Sequence, residues 1–150
     1  MPVTIREVAD DELFALLCLY AHLHPEDEML PLGEAAQIWK TLRQDPNQQC
    51  WGAYWNDLLA ATCTLIVVPN LTRGGRPYGL IENVVTHPDF RRRGMGTAVL
   101  KRALQTAWEH KCYKVMLLTG SKNEATLRFY EKAGFERGVK TGFVARPNTP

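Results

Sequence analysis

The sequence has no stretch able to cross a bilayer, no paired cysteines and no internal repeat. Its longest charge-free run is Leu58–Thr72, fifteen residues interrupted by Pro69, short of the roughly 20 that a spanning helix needs. The apolar run Leu13–Tyr20 follows Asp10, Asp11 and Glu12 rather than a basic flank, so it does not read as a signal peptide. The four cysteines (Cys18, Cys50, Cys63 and Cys112) are scattered, with no C-x-x-C pair. They fit reduced packing residues in a cytoplasmic protein rather than a disulfide framework. His22 and His24 are the one close histidine pair. No Cys and His cluster of the kind zinc uses accompanies them, so no metal is expected. A long basic stripe or tail is also missing, which argues against nucleic acid as a partner. Nothing calls for a membrane partner.

What is present is an ordinary globular composition: 150 residues, 45% hydrophobic and 23% charged. That is enough for one core and one domain spanning 1–150. The net charge of +2 conceals a polarised chain. Residues 1–50 carry −6, residues 51–100 carry +2 and residues 101–150 carry +6. Such asymmetry suggests one cationic and one anionic partner, or solvated charges placed without purpose.

Hydrophobic periodicity sets out the elements. Val3–Val8 alternates as a first strand. Asp10 or Asp11 can cap a helix through Leu13, Leu16, Leu17 and Tyr20, which share one face at helical spacing. His22–Gly33 holds Pro25, Pro31 and Gly33 around Glu26, Asp27 and Glu28 and reads as an irregular link. A second helix is expected over Glu34–Arg43, ending before Asp45-Pro46. Cys50–Tyr54 and Leu59–Val68 are strands joined by an Asn56-Asp57 turn. Leu80–Thr86 is a further strand. A long helix follows, with Val99, Leu100, Ala103, Leu104, Ala107 and Trp108 on one side. Lys114–Leu118 reads as a buried strand. Ser121–Glu124 fits a capping box opening a helix to about Lys132, and Ala133-Gly134-Phe135 fits its stop. Phe143–Arg146 is a candidate last strand. The order describes an α/β (α+β) domain around one central sheet.

Val84–Gly96, VVTHPDFRRRGMG, carries the chemistry. A strand runs into a loop with Arg91, Arg92, Arg93, Gly94, Met95 and Gly96, and a helix follows at once. The first turn of a helix offers unpaired N–H groups and partial positive charge. Glycines let a phosphate approach the backbone, and arginines add formal charge and bidentate donors. Together they describe a diphosphate cradle. A dinucleotide fingerprint would need glycine where Val99 stands, and no Gly-Lys-Ser/Thr of a P-loop is present.

Arg91, Gly94 and Gly96 match R-x-x-G-x-G. Asn123, Phe129, Tyr130 and Glu131-Lys132-Ala133-Gly134-Phe135 match N-x-x-x-x-x-(F/Y)-Y-E-K-x-G-F. Through these motifs the chain resembles the GNAT superfamily of acyl-coenzyme A-dependent N-acyltransferases, most closely over Cys50–Glu136. The resemblance implies a GNAT fold: a mixed, mostly antiparallel sheet of six to seven strands flanked by about four helices. It implies transfer of an acetyl group from acetyl-CoA directly to a primary amine of a small-molecule acceptor, through a ternary complex, and a homodimer as the common assembly. A non-catalytic CoA-binding module on the same fold is the alternative, and so are amino-sugar phosphate or peptide acceptors.

The implied roles fall on specific positions. The backbone of Val84, Val85 and Thr86 would pair with the pantetheine arm, and an amide near Val84, in a bulged region, would face the acetyl carbonyl. Arg91, Arg92, Arg93, Gly94, Met95, Gly96 and Thr97 would hold the pyrophosphate. Asn123 would bond the pantetheine arm, with Phe129 and Tyr130 lining the slot. Tyr130 stands where the family places the acid that protonates the leaving thiolate; by residue type alone it is equally a core aromatic. Glu82, inside the run LIENVV, is the candidate base, its pKa expected to be raised by burial, or else a carboxylate facing solvent. Glu26, Asp27, Glu28, Glu82 and Asn83 are candidate acceptor contacts, and the Arg73–Arg76 loop could hold an acidic group on the acceptor. The segment Ile81–Val85 together with FYEKAGF is similar to glucosamine 6-phosphate N-acetyltransferases, with Asn83 where those usually have Asp.

Overall fold

Strand pairing organises the molecule. The computed structural model describes residues 3–148. In chain order the elements are β1 (Val3–Glu7), α1 (Leu13–Tyr20), α2 (Leu32–Gln44), β2 (Gln48–Trp55), β3 (Leu58–Val68), β4 (Tyr78–Thr86), α3 (Met95–Glu109), β5 (Val115–Met116) and α4 (Glu124–Lys132). The strands form one sheet in sequence order, β1-β2-β3-β4-β5. The first four are antiparallel neighbours, and β5 runs parallel to β4. Asn56 and Asp57, at φ of 47° and 67°, make the tight β2–β3 turn that positive φ at both central residues permits.

Each face of the sheet has its own core. On one face Trp51, Ala53, Cys63, Leu65 and Ile81 pack against Met95, Val99, Leu100, Ala103 and Ala107 of α3. On the other, Cys50, Tyr54, Leu59 and Val85 pack with Leu16 and Leu19 of α1 and Trp39 of α2. Val99 and Leu100 are fully buried, and each such burial stabilises by roughly 1.5–3 kcal/mol. α1 is unusual. Its sequence LFALLCLY is apolar on every side, yet only Leu16 and Leu19 are buried. A helix of that composition ordinarily lies inside a core.

The structure corrects several expectations. The sheet has five strands among the described residues, not six to seven. Phe143–Arg146 forms no strand, because a β-forming run needs an edge to pair with and β5 supplies only two paired residues. Phe143 is 90% exposed. The α4 cap is Asn123, whose side chain accepts from the Ala125 N–H, while Ser121 Oγ accepts the Asn123 N–H one turn earlier. The cap ahead of α1 is also different: Glu12, not Asp10 or Asp11, reaches back to the Ala9 N–H at 2.8 Å.

Candidate active site

β4 is interrupted where the chemistry was expected. Thr62 of β3 pairs with Val85 and Thr64 pairs with Glu82, so Asn83 and Val84 together oppose Cys63. This is a β-bulge, with Asn83 in the left-handed region at φ 54°, which asparagine tolerates better than most residues. The extra residue reverses the alternation. Ile81 faces the α3 core and Val85, four residues on, faces the α1–α2 core; an unbroken strand would put both on one side. β4 also parts from β5: their pairing is confined to Gly79–Val115 and Leu80–Met116. Beyond Leu80 no strand occupies that side of β4 among the described residues.

A cavity of about 890 Å³ opens there. β4 contributes Val84, Val85 and Thr86. The start of α3 contributes Arg91, Arg92, Gly94, Met95, Gly96 and Thr97, and α4 contributes Phe129 and Tyr130. Gly94 is the α3 N-cap at φ 77°, and a Cβ there would meet nothing within 4 Å. The helix ladder begins with the Ala98 N–H on Gly94 O, so the amides of Met95, Gly96 and Thr97 precede it and suit an anion. Gly96 has another task. A Cβ there would lie 2.9 Å from both Phe129 Cζ and Thr86 Oγ1, so glycine lets α4 close on the slot. Tyr130 is half-buried against Phe129 and Phe135. Burial first, then the nearby Cys63, raises its phenol above the ordinary value. It therefore stays protonated at neutral pH and can give up a proton.

A second cavity, about 420 Å³, lies on the α1–α2 face. Leu13, Leu17, Ile38, Trp39, Leu42 and Ile66 form much of its wall, and Glu82 and Asn83 enter it from β4. The half-buried apolar residues of α1, Leu13, Leu17 and Tyr20, wall this cavity instead of filling a core, whereas Phe14, Ala15 and Cys18 stay exposed. Consecutive residues line the two cavities, Asn83 the smaller and Val84 the larger.

Several expected site residues lie elsewhere. Glu82 is exposed, not buried as expected, because the apolar residues around it serve two different faces through the bulge. Arg93 lies outside the larger cavity, with its guanidinium 5.1 Å from the Trp55 ring centroid and 5.4 Å from that of Phe90. Asn123 spends its carbonyl on the Ala125 N–H at 2.9 Å and lines neither cavity. Glu26, Asp27 and Glu28 are exposed on the α1–α2 link and line neither. Arg73 and Arg76 stand over the Tyr113 ring, also outside both. Sequence reading missed His22, Leu23, Arg128 and Lys132, which line the larger cavity. Arg128 and Lys132 were detectable, since they are four apart on the helix that bears Phe129. It also missed the entire apolar wall, whose signal was the all-round apolarity of α1.

These features meet what acetyl-CoA requires: an unpaired strand edge for an extended amide-bearing arm, and a cationic, amide-lined helix start that leaves room for a diphosphate. Comparison with known proteins agrees. A model of the acetyltransferase (GNAT) family matches residues 11–135. The structure of a putative acetyltransferase from Agrobacterium tumefaciens str. C58 superposes with a TM-score of 0.92 at 43% identity, over 96% of this chain and 99% of that one. A glucosamine 6-phosphate N-acetyltransferase of Trypanosoma brucei brucei is 39% identical over 77 residues, which are 51% of this chain and 50% of that protein. Streptothricin acetyltransferase A of Bacillus subtilis is 38% identical over 62 residues, 41% of this chain and 36% of that protein. The matched stretch thus spans half or less of these two curated relatives. By its family match and its fold, the chain belongs to the GNAT acetyltransferase family.

Proposed function

We propose that the protein is an N-acetyltransferase that moves the acetyl group of acetyl-CoA directly onto a primary amine, with both reactants bound at once. The observation that carries this reading is the Asn83–Val84 bulge, where a cavity suited to the cofactor meets a second cavity bearing a carboxylate. Acetyl-CoA, when bound, supplies an acyl group activated as a thioester. Arg91, Arg92 and the amides of Met95, Gly96 and Thr97 hold its diphosphate. The free edge of β4 from Val84 to Thr86 aligns its arm, and a backbone N–H at the bulge stabilises negative charge developing on the acyl oxygen.

Glu82 takes the proton that the ammonium must lose before its nitrogen can attack. An exposed carboxylate does this directly or through one water. The C–N bond forms as the C–S bond breaks, and the Tyr130 phenol delivers a proton to the departing sulfur. Holding both reactants at one bulge also removes the entropy cost of a bimolecular encounter. The protein acts as a homodimer in this reading, supported by Leu118, Phe143 and Val144, which stand exposed beyond β5.

The test follows thiol release from acetyl-CoA against a panel of amines, with the acetylated product identified by mass. Amine-dependent release is expected. Acetyl-CoA binding without release on any amine would replace the enzyme with a CoA-binding module.

A further inference from the structure

We infer that the acceptor is a primary amine on an apolar body, an aralkyl or alkyl amine, rather than an amino-sugar phosphate or a polyamine. The inference rests on the proposed acetyl transfer and assigns the smaller cavity to the acceptor. At about 420 Å³ it lies within the range of small-molecule sites. Its walls are mainly apolar, from leucines of α1, Ile38 and Trp39 of α2 and Ile66 of β3, with neutral polar groups from Tyr20, Gln48, Gln49, Thr64 and Asn83. Such walls reward apolar area and penalise a phosphate or a second ammonium that loses its water there.

Charge points the same way. The one cation lining this cavity among the described residues is Arg43, and it is already engaged. Its Nε lies 2.6 Å from Asp10 Oδ1 and its Nη1 3.2 Å from Glu7 Oε2. A phosphate would have to take Arg43 from two carboxylates. Arg73 and Arg76, the other candidates for an acidic group, lie over Tyr113 away from the cavity. The one carboxylate lining the cavity is Glu82, at the end that meets the thioester. One anion at the reacting end of an apolar chamber matches a ligand with one ammonium and an apolar remainder. Polyamines would put further charges against leucine. The acids of the α1–α2 link, Glu26, Asp27 and Glu28, line neither cavity.

The experiment has two readouts on the full-length protein. The first is kcat/KM with saturating acetyl-CoA for n-alkylamines of increasing length, phenethylamine, spermidine and glucosamine 6-phosphate. The alkyl series should rise about fourfold per methylene until the cavity is full, and phenethylamine should exceed glucosamine 6-phosphate by at least about a hundredfold. The second readout is tryptophan fluorescence, reporting through Trp39, as phenethylamine is titrated into CoA-loaded protein. Ile38→Ser, a change at a half-exposed wall position, should weaken that binding severalfold. Turnover of glucosamine 6-phosphate or spermidine with none of phenethylamine would overturn the assignment while leaving acetyl transfer intact. Binding of phenethylamine without turnover of any amine would overturn acetyl transfer while upholding an apolar-amine site. Neither binding nor turnover would overturn both.

Discussion

The two cavities on either side of the β4 bulge are built by different physics. The larger one offers backbone beside its arginines and aromatics: an unpaired strand edge, the first amides of α3 and a glycine at φ 77°. The smaller one is made of side chains, with leucine, isoleucine and tryptophan joined by Tyr20, Gln48, Gln49 and Thr64 and a lone carboxylate. Backbone recognition suits a ligand that never changes, because amide geometry is insensitive to most substitutions. Side-chain recognition can be re-tuned by replacing one wall residue.

The sharpest way to break the contrast is Gly94→Val. Valine would enter the left-handed region and fill open space at the diphosphate. Acetyl-CoA affinity should fall by at least about a hundredfold, while phenethylamine binding measured by fluorescence stays within about twofold. Loss of both together would mean that the cavities are not independent. Tyr130→Phe should lower kcat by about a hundredfold or more, the scale of a lost general acid, with KM for acetyl-CoA little changed. Because burial raises the Tyr130 phenol, the acid form persists as pH rises through 10, its ordinary value. Any alkaline decline of the wild-type rate from this group should therefore set in at higher pH than for a solvent-exposed phenol.

A smaller effect is expected at the carboxylate. Glu82→Gln should raise the amine KM and lower the rate about tenfold near neutral pH, with recovery at high pH as free amine accumulates. A profile identical to wild type would remove Glu82 from the reaction. The smallest effect belongs to Asn123. As an N-cap it contributes about 1 kcal/mol, so Asn123→Ala should lower Tm by roughly 2–4 °C, and Asn123→Asp should restore it. If instead acetyl-CoA affinity drops and Asp does not rescue it, Asn123 touches the cofactor.

The legibility of the sequence follows the same division. Elements came through because periodicity and turn residues are local: the Asn56-Asp57 hairpin, the α3 stripe and the Gly134 stop all lie where the residues indicate. The lining of the larger cavity by Arg91, Arg92, Gly94, Met95, Gly96 and Thr97 was legible because these residues are nearly contiguous, though Arg93 turns away. The smaller cavity was not, because it is assembled from α1, α2, β2, β3 and β4, and no spacing rule joins Leu13 to Ile66. Glu82 misled for a related reason: an apolar run implies burial only if alternation is unbroken, and a bulge leaves no composition signal beyond an asparagine. The last strand failed because Phe143–Arg146 has the residues of a strand but no edge within the described chain to meet.

The bulge also divides the strand itself: Ile81 before it belongs to the α3 core and Val85 after it to the α1–α2 core, with a half-period offset between them. Deleting Asn83 would therefore do more than remove one side chain. It would restore one-to-one pairing with β3, and the three steps then left between Ile81 and Val85 would keep them on the opposite faces they occupy now. Point changes around Glu82 test the carboxylate alone, whereas removing one residue tests the bulge itself with both flanking segments still in phase.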